Sequence, residues 1–455
     1  MNLYEILDQI PNYKEFMTVK ELDESSKQLA REFPQVKLFE IGKSREKRSI
    51  YCLKIGKGVE NALLFAFPHP NEPIGSITLE FLSRFLAEHP DFTEEIGYTW
   101  YMIKAIDIDG AALNEGWFKG NFNPLKYAKN FYRPARFEQI EWSFPVTYKK
   151  LAFNNIPPET QALMKIINEL KPRFMYGLHN AAFGGVFFYI SRGVGNLFAD
   201  LTNFVRKEQL PLHLGEPEAP YIEKLHDAIF RMMGIKDVYD YLEARGVENP
   251  QEFIKAGTTP SDYLKNITNK EHFHLVSEIP YFYDDSIDDT SLTGFERRDL
   301  MLESLDYKKS IYKHSRKIFN QIKKYCNVDT RIYTAVKDYI IRTRPELEFS
   351  LNDVKTSSRF DGKASVSEAF DLNVSSRYYT LLTVSMIARL CDEAILNHPE
   401  YETMLANIKK EMEKWIDEKI NDLLSGSKFK VIPIQKLVRM QIGSVFITLE
   451  NLSKQ

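Results

Sequence analysis

Apolar residues fall into two alternating patterns over the first 325 positions: short runs at strand length and longer stretches at helical spacing. Residues 15–33 carry the helical period and end near Phe33-Pro34. The strand-length runs VKLFEIG (36–42), SIYCLKIG (49–56) and NALLFAF (61–67) follow. The last is apolar without interruption, as expected for a strand covered on both faces. After HPNEP (69–73), Ile74, Ile77, Phe81, Leu82 and Phe85 recur at the spacing of a helix that buries one side, with Pro73 suited to its start. YTWYMIKAI (98–106) reads as a strand, 157–172 as a helix, 173–190 as strand, loop and strand, and 272–283 as a strand entering a turn. Residues 107–155 show no period, and so long an irregular stretch in a compact domain is usually functional.

Strands alternating with helices predict an α/β fold, a three-layer α/β/α domain with a mixed central sheet. Its last helix is expected at 304–325. Beyond it the pattern is mainly helical, with one helix at 402–424 that stops near Gly426. The expected division is a catalytic domain over 1–326 and a mostly helical C-terminal extension over 327–455. Three roles stay open for the extension: covering a cleft, buttressing the domain, or pairing copies into a homo-oligomer.

Composition narrows the classes. Sixty basic and 63 acidic residues give a formal net charge of −3, which argues against nucleic acid or an anionic membrane as a partner. Cys52, Cys326 and Cys391 are far apart and form no CxxC pair, so neither a disulfide framework nor a thiolate metal cage is expected. The N-terminus has no continuous apolar run of the signal-peptide kind, and the expectation is a cytoplasmic protein.

The chemistry gathers at strand ends. His69 and Glu72 lie just past a buried strand, where α/β sheets build their sites. A second HxxE, His213 to Glu216, has no strand before it and reads as a loop coincidence. His179 closes another strand-like run, FMYGLH, ahead of Gly184 and Gly185. Two histidines and a carboxylate form a set that suits one catalytic zinc ion. Glu278 interrupts the otherwise apolar HLVSEIPYF, and an unpaired buried carboxylate is costly enough to need a role; general base is the candidate.

These residues, in this order, resemble the carboxypeptidase A-like zinc metallopeptidases. There an HxxE follows a central strand, a third ligand His ends a later strand and the base Glu lies in a late strand. Two further segments are similar to the family: IGKSREKRSIYCLKIG (41–56) and IDIDGAALNEG (106–116), the latter with Asp107 and Ile108 where the family has Asn-Pro. The resemblance covers about 15–325. It implies zinc held by His69, Glu72 and His179, Glu278 as base, and hydrolysis of an amide bond that releases a C-terminal residue from a peptide.

One departure stands out. The family's Asn-Arg pair, which clamps a substrate carboxylate, is replaced here by NFYRPAR, with Asn130, Arg133 and Arg136. Arg133 is the first choice for that contact and for the oxyanion, and Arg136 the second. Tyr263 or Tyr241 is expected to cap the substrate. Two alternatives stay open: a zinc amidase or deacylase acting on a small metabolite or cell-wall fragment, and a non-catalytic binding protein on the same scaffold.

Overall fold

The structure is a computed structural model and describes residues 1–454. Its centre is a mixed sheet of nine strands. In chain order these are β1 (Lys37–Lys43), β2 (Ser49–Ile55), β3 (Glu60–Ala66), β4 (Tyr98–Ile103), β7 (Phe174–His179), β8 (Phe187–Ile190), β9 (Lys224–His226), β10 (Ile229–Arg231) and β11 (Phe273–Glu278). A separate hairpin, β5 (Val146–Tyr148) and β6 (Leu151–Phe153), lies within the aperiodic stretch. The order across the sheet is β1-β2-β4-β3-β7-β11-β8-β10-β9. β4, β3, β7 and β11 are parallel neighbours and β8 is parallel to β10, while the pairs β1–β2, β2–β4, β11–β8 and β10–β9 are antiparallel. β7 and β11 are buried along their whole length and β3 over Ala62–Ala66, so both faces of the centre are covered.

The three-layer α/β expectation is met. Helix Ile74–Glu88 packs on β3 and its neighbours, and helix Pro158–Leu170 packs on β1. Residues 107–155 form short helical turns and the hairpin. Helix Arg297–Ile322 starts two turns earlier than the apolar period indicates, because its first residues, RRDLMLE, are largely polar. Four more long helices follow: Arg331–Thr356, Ser376–Asn397, Glu402–Leu424 and Ile434–Ser453. The last packs on Ile74–Glu88 and on helix Leu197–Lys207. No helix among the described residues is long and apolar enough to cross a membrane.

The two loop segments that resemble the family touch each other. Ser44 Oγ donates to Asp109 Oδ1 at 2.8 Å, and the Glu46 amide donates to Oδ2 at 2.9 Å. Asp107 accepts from the Gly110 amide and pairs at 2.7 Å with buried Arg331, which lies 3.3 Å from Glu159 as well. A residue beyond position 326 thus neutralises acids in the heart of the α/β layer.

Candidate metal centre

His179 and Glu278 are the last residues of β7 and β11, paired in register, and His69 lies three residues past the end of β3. Neighbouring parallel strands therefore deliver all three side chains to one edge of the sheet. Between β3 and His69, Phe67 adopts a left-handed φ of 56° just before Pro68. A non-glycine residue there costs on the order of 1–3 kcal/mol, strain of the kind found where a fold must aim a side chain.

Glu72 lies between the two histidines. Its Oε1 is 3.1 Å from His69 Nδ1 and its Oε2 is 2.9 Å from His179 Nδ1. The rings are 4.8 Å apart, and all three residues are buried. Glu278 Oε1 lies 3.6 Å from the same His179 nitrogen. On the other side of that ring, Nε2 is 2.9 Å from Glu141 Oε2 but makes no hydrogen bond. Asn180 ties the group down. Its amide donates to Glu72 Oε2 at 3.2 Å, its Oδ1 accepts from the Ile74 amide at the start of helix Ile74–Glu88, and its Nδ2 donates to the Ile279 carbonyl. From the far end of the chain, Gln441 donates to the His179 carbonyl at 3.0 Å and accepts from the Thr78 hydroxyl at 2.6 Å.

The electrostatics fit a cation. Burial opposes ionisation of Glu72, yet His69 and His179 hold its carboxyl well below the usual range. Burial and Arg133 lower His69, which keeps it neutral. Burial disfavours charge on His179 too, but the surrounding acids Glu141 and Glu278 outweigh it and draw a proton onto the ring. Burial pushes Glu278 well above the carboxylate range. Glu72 and Glu141 are thus held as carboxylates beside the buried His179 ring, an arrangement that positive charge stabilises. Donor atoms about 3.3 Å apart are what four-coordinate zinc at about 2.0–2.1 Å requires, close to the spacings at Glu72. Glu72 is close enough to each histidine to share an ion with it, and the sets whose ligand atoms all lie within 4.8 Å of one another are Glu72, His179 and Glu278, and His69, Glu141 and His179.

Arg133 reaches the same place. Its guanidinium lies 3.3 Å from Glu72 Oε1 and 2.9 Å from the ring nitrogens of His69. The other polar residues singled out from the sequence are not brought there. Asn130 donates to the Lys126 carbonyl at the end of a short helix. Arg136 ion-pairs with Glu346 at 2.7 Å, Tyr263 donates to Asn168 and Tyr241 donates to Asp353. None of these four lines the cavity of about 150 Å³ around the histidines. Two other tyrosines do, Tyr189 and Tyr379, together with Glu141 and Glu218. Glu141 sits in the aperiodic stretch, whose length was its only sequence signal. Tyr379 comes from helix Ser376–Asn397, and its hydroxyl accepts from the Ala182 amide at 2.7 Å.

Residues 22–200 match the zinc carboxypeptidase family. No curated protein matches the chain. Among solved structures, carboxypeptidase A from Helicoverpa armigera is 14% identical, with a TM-score of 0.39 over 78% of this chain and 81% of that one. A metallo-carboxypeptidase from Burkholderia cenocepacia is 16% identical, with a TM-score of 0.35 over 57% and 59%. Bovine thrombin-activatable fibrinolysis inhibitor is 12% identical, with a TM-score of 0.33 over 58% and 86%. At these values nothing about the site follows from the solved structures. The matched segment, residues 22–200, carries His69, Glu72 and His179.

Proposed function

We propose that the protein is a zinc-dependent hydrolase of peptide bonds that removes a C-terminal residue. The observation that carries this reading is the convergence of His69, Glu72 and His179 with Glu278 at the ends of three adjacent parallel strands. The chemistry supplied with zinc in place is Lewis-acid polarisation of a scissile carbonyl and a more acidic water. Glu278, on the same edge, accepts a proton from the attacking water and returns it to the leaving amine. Its apolar strand and its raised affinity for protons suit the second half of that exchange. Arg133 meets a carboxylate or a developing oxyanion, for which a guanidinium offers paired donors.

The test uses peptides with free and with amidated C-termini. Activity on the free set, lost on the amidated set, is the expected result. Glu278→Gln should lower kcat by about 10²–10⁴-fold with zinc content unchanged. His69→Ala and His179→Ala should each lower bound zinc. Zinc content unaffected by either histidine substitution would remove the reading. One observation favours a second reading: Asn130 and Arg136 are committed elsewhere, so no Asn-Arg clamp stands at the site. Hydrolysis of the amidated set would point to that reading, an amidase or deacylase.

A further inference from the structure

The cleft around the histidines is small, but Arg133, Glu218 and Tyr379 line both it and a second cavity of about 540 Å³. That volume is in the range of small-molecule sites. Helices Arg297–Ile322, Arg331–Thr356 and Ser376–Asn397 supply much of its wall.

The cations on this wall are paired with one exception, while its acids Glu218 and Asp371 have no cation within 4 Å among the described residues. Arg342 holds Glu346 at 2.8 Å and Asp338 at 3.0 Å. Arg359 lies 4.0 Å from Asp353, which also pairs with Arg245. Arg133 pairs with Glu72. Lys308 is different. It lines the cavity from helix Arg297–Ile322, and among the described residues no carboxylate lies within 4 Å of its ammonium. The carboxylate that acts on it, Glu346, is already taken by Arg342 and Arg136. Three cations here, Arg136, Arg342 and Lys308, meet two anions, Asp338 and Glu346, leaving one positive charge over. Lys308 is half-buried, and burial lowers its proton affinity, so the ammonium has given up part of its water without gaining a counter-ion. An anion arriving through the cavity would supply one.

We propose that this cavity receives the substrate and that Lys308 binds a carboxylate on it, so that the preferred substrate carries a second anionic group besides the one that faces Arg133. The word substrate rests on the hydrolase reading; the anion site does not. The test is therefore binding, read by calorimetry on the full chain. The probes are N-acetylglutamate, with two carboxylates, and N-acetylglutamine, with one. The dianion should bind about ten-fold more tightly to the unaltered protein. Lys308→Met should abolish that preference and Lys308→Arg should keep most of it, while N-acetylglutamine binding stays level throughout. Equal affinities in the unaltered protein, no binding of either probe at millimolar concentration, or a preference that survives Lys308→Met would each overturn the proposal. Peptides ending in Glu or Gln then address hydrolysis separately. A protein that prefers the dianion but cleaves neither peptide retains this site and loses the hydrolase reading.

Discussion

Asn180 shows how much a single side chain next to a candidate ligand can do. Its side chain bonds the first amide of helix Ile74–Glu88 and the carbonyl after β11, while its backbone amide donates to Glu72. Alanine there leaves a buried amide and a buried carbonyl unsatisfied, each costing about 1–3 kcal/mol. Asn180→Ala should lower stability in urea by at least that much. The backbone amide keeps its bond to Glu72 in this variant, so zinc affinity, measured by chelator competition, should change by less than about 10-fold. A larger loss would mean that the side chain's ties to Ile74 and Ile279 also set the place of Glu72. In the sequence Asn180 is only the neighbour of His179. Its role depends on where Ile74 and Ile279 come to lie, and no local pattern records that.

At the scale of elements, the site exists because a helix can press close to the strand ends. Gly75 permits this: a Cβ there would stand 2.6 Å from Leu178 Cβ and 3.0 Å from Ala66 Cβ, both core atoms of the sheet. Gly75→Ala should cost about 1–3 kcal/mol by overpacking, whereas Gly294→Ala, with nothing within 4 Å of its Cβ, should be near neutral. Thermal melts of the two variants make the comparison, and equal melting points would show that the helix shifts without penalty. The same logic explains what the sequence made legible. Continuous apolar runs marked β3, β7 and β11, and polar residues at their ends marked His69, His179 and Glu278. The last two strands on one side of the sheet, β10 and β9, are three residues each, too short for a period. Glu141, Tyr379 and Lys308 reach the cavities through tertiary packing, while Arg136 satisfied the pattern of a substrate clamp and went to Glu346 instead.

At the scale of the molecule, the C-terminal helices are woven into the α/β layer. Residues from both parts share one hydrophobic core, and Phe282–Tyr283 pairs with Lys430–Val431. A fragment spanning 1–326 would lose Arg331 from beside Asp107 and Glu159 and uncover the helices that Ile434–Ser453 packs against. It should show no cooperative thermal transition by circular dichroism. A fragment that melts cooperatively as a monomer would instead mark the extension as a separable domain. The hydrogen bond from Gln441 to the His179 carbonyl also sets a clock. The 262 positions between them take roughly 13–52 s to synthesise at about 5–20 residues per second. For that interval a nascent chain has both histidines made and the helix that backs them still missing, so the candidate metal centre takes its final support only when that helix has been made.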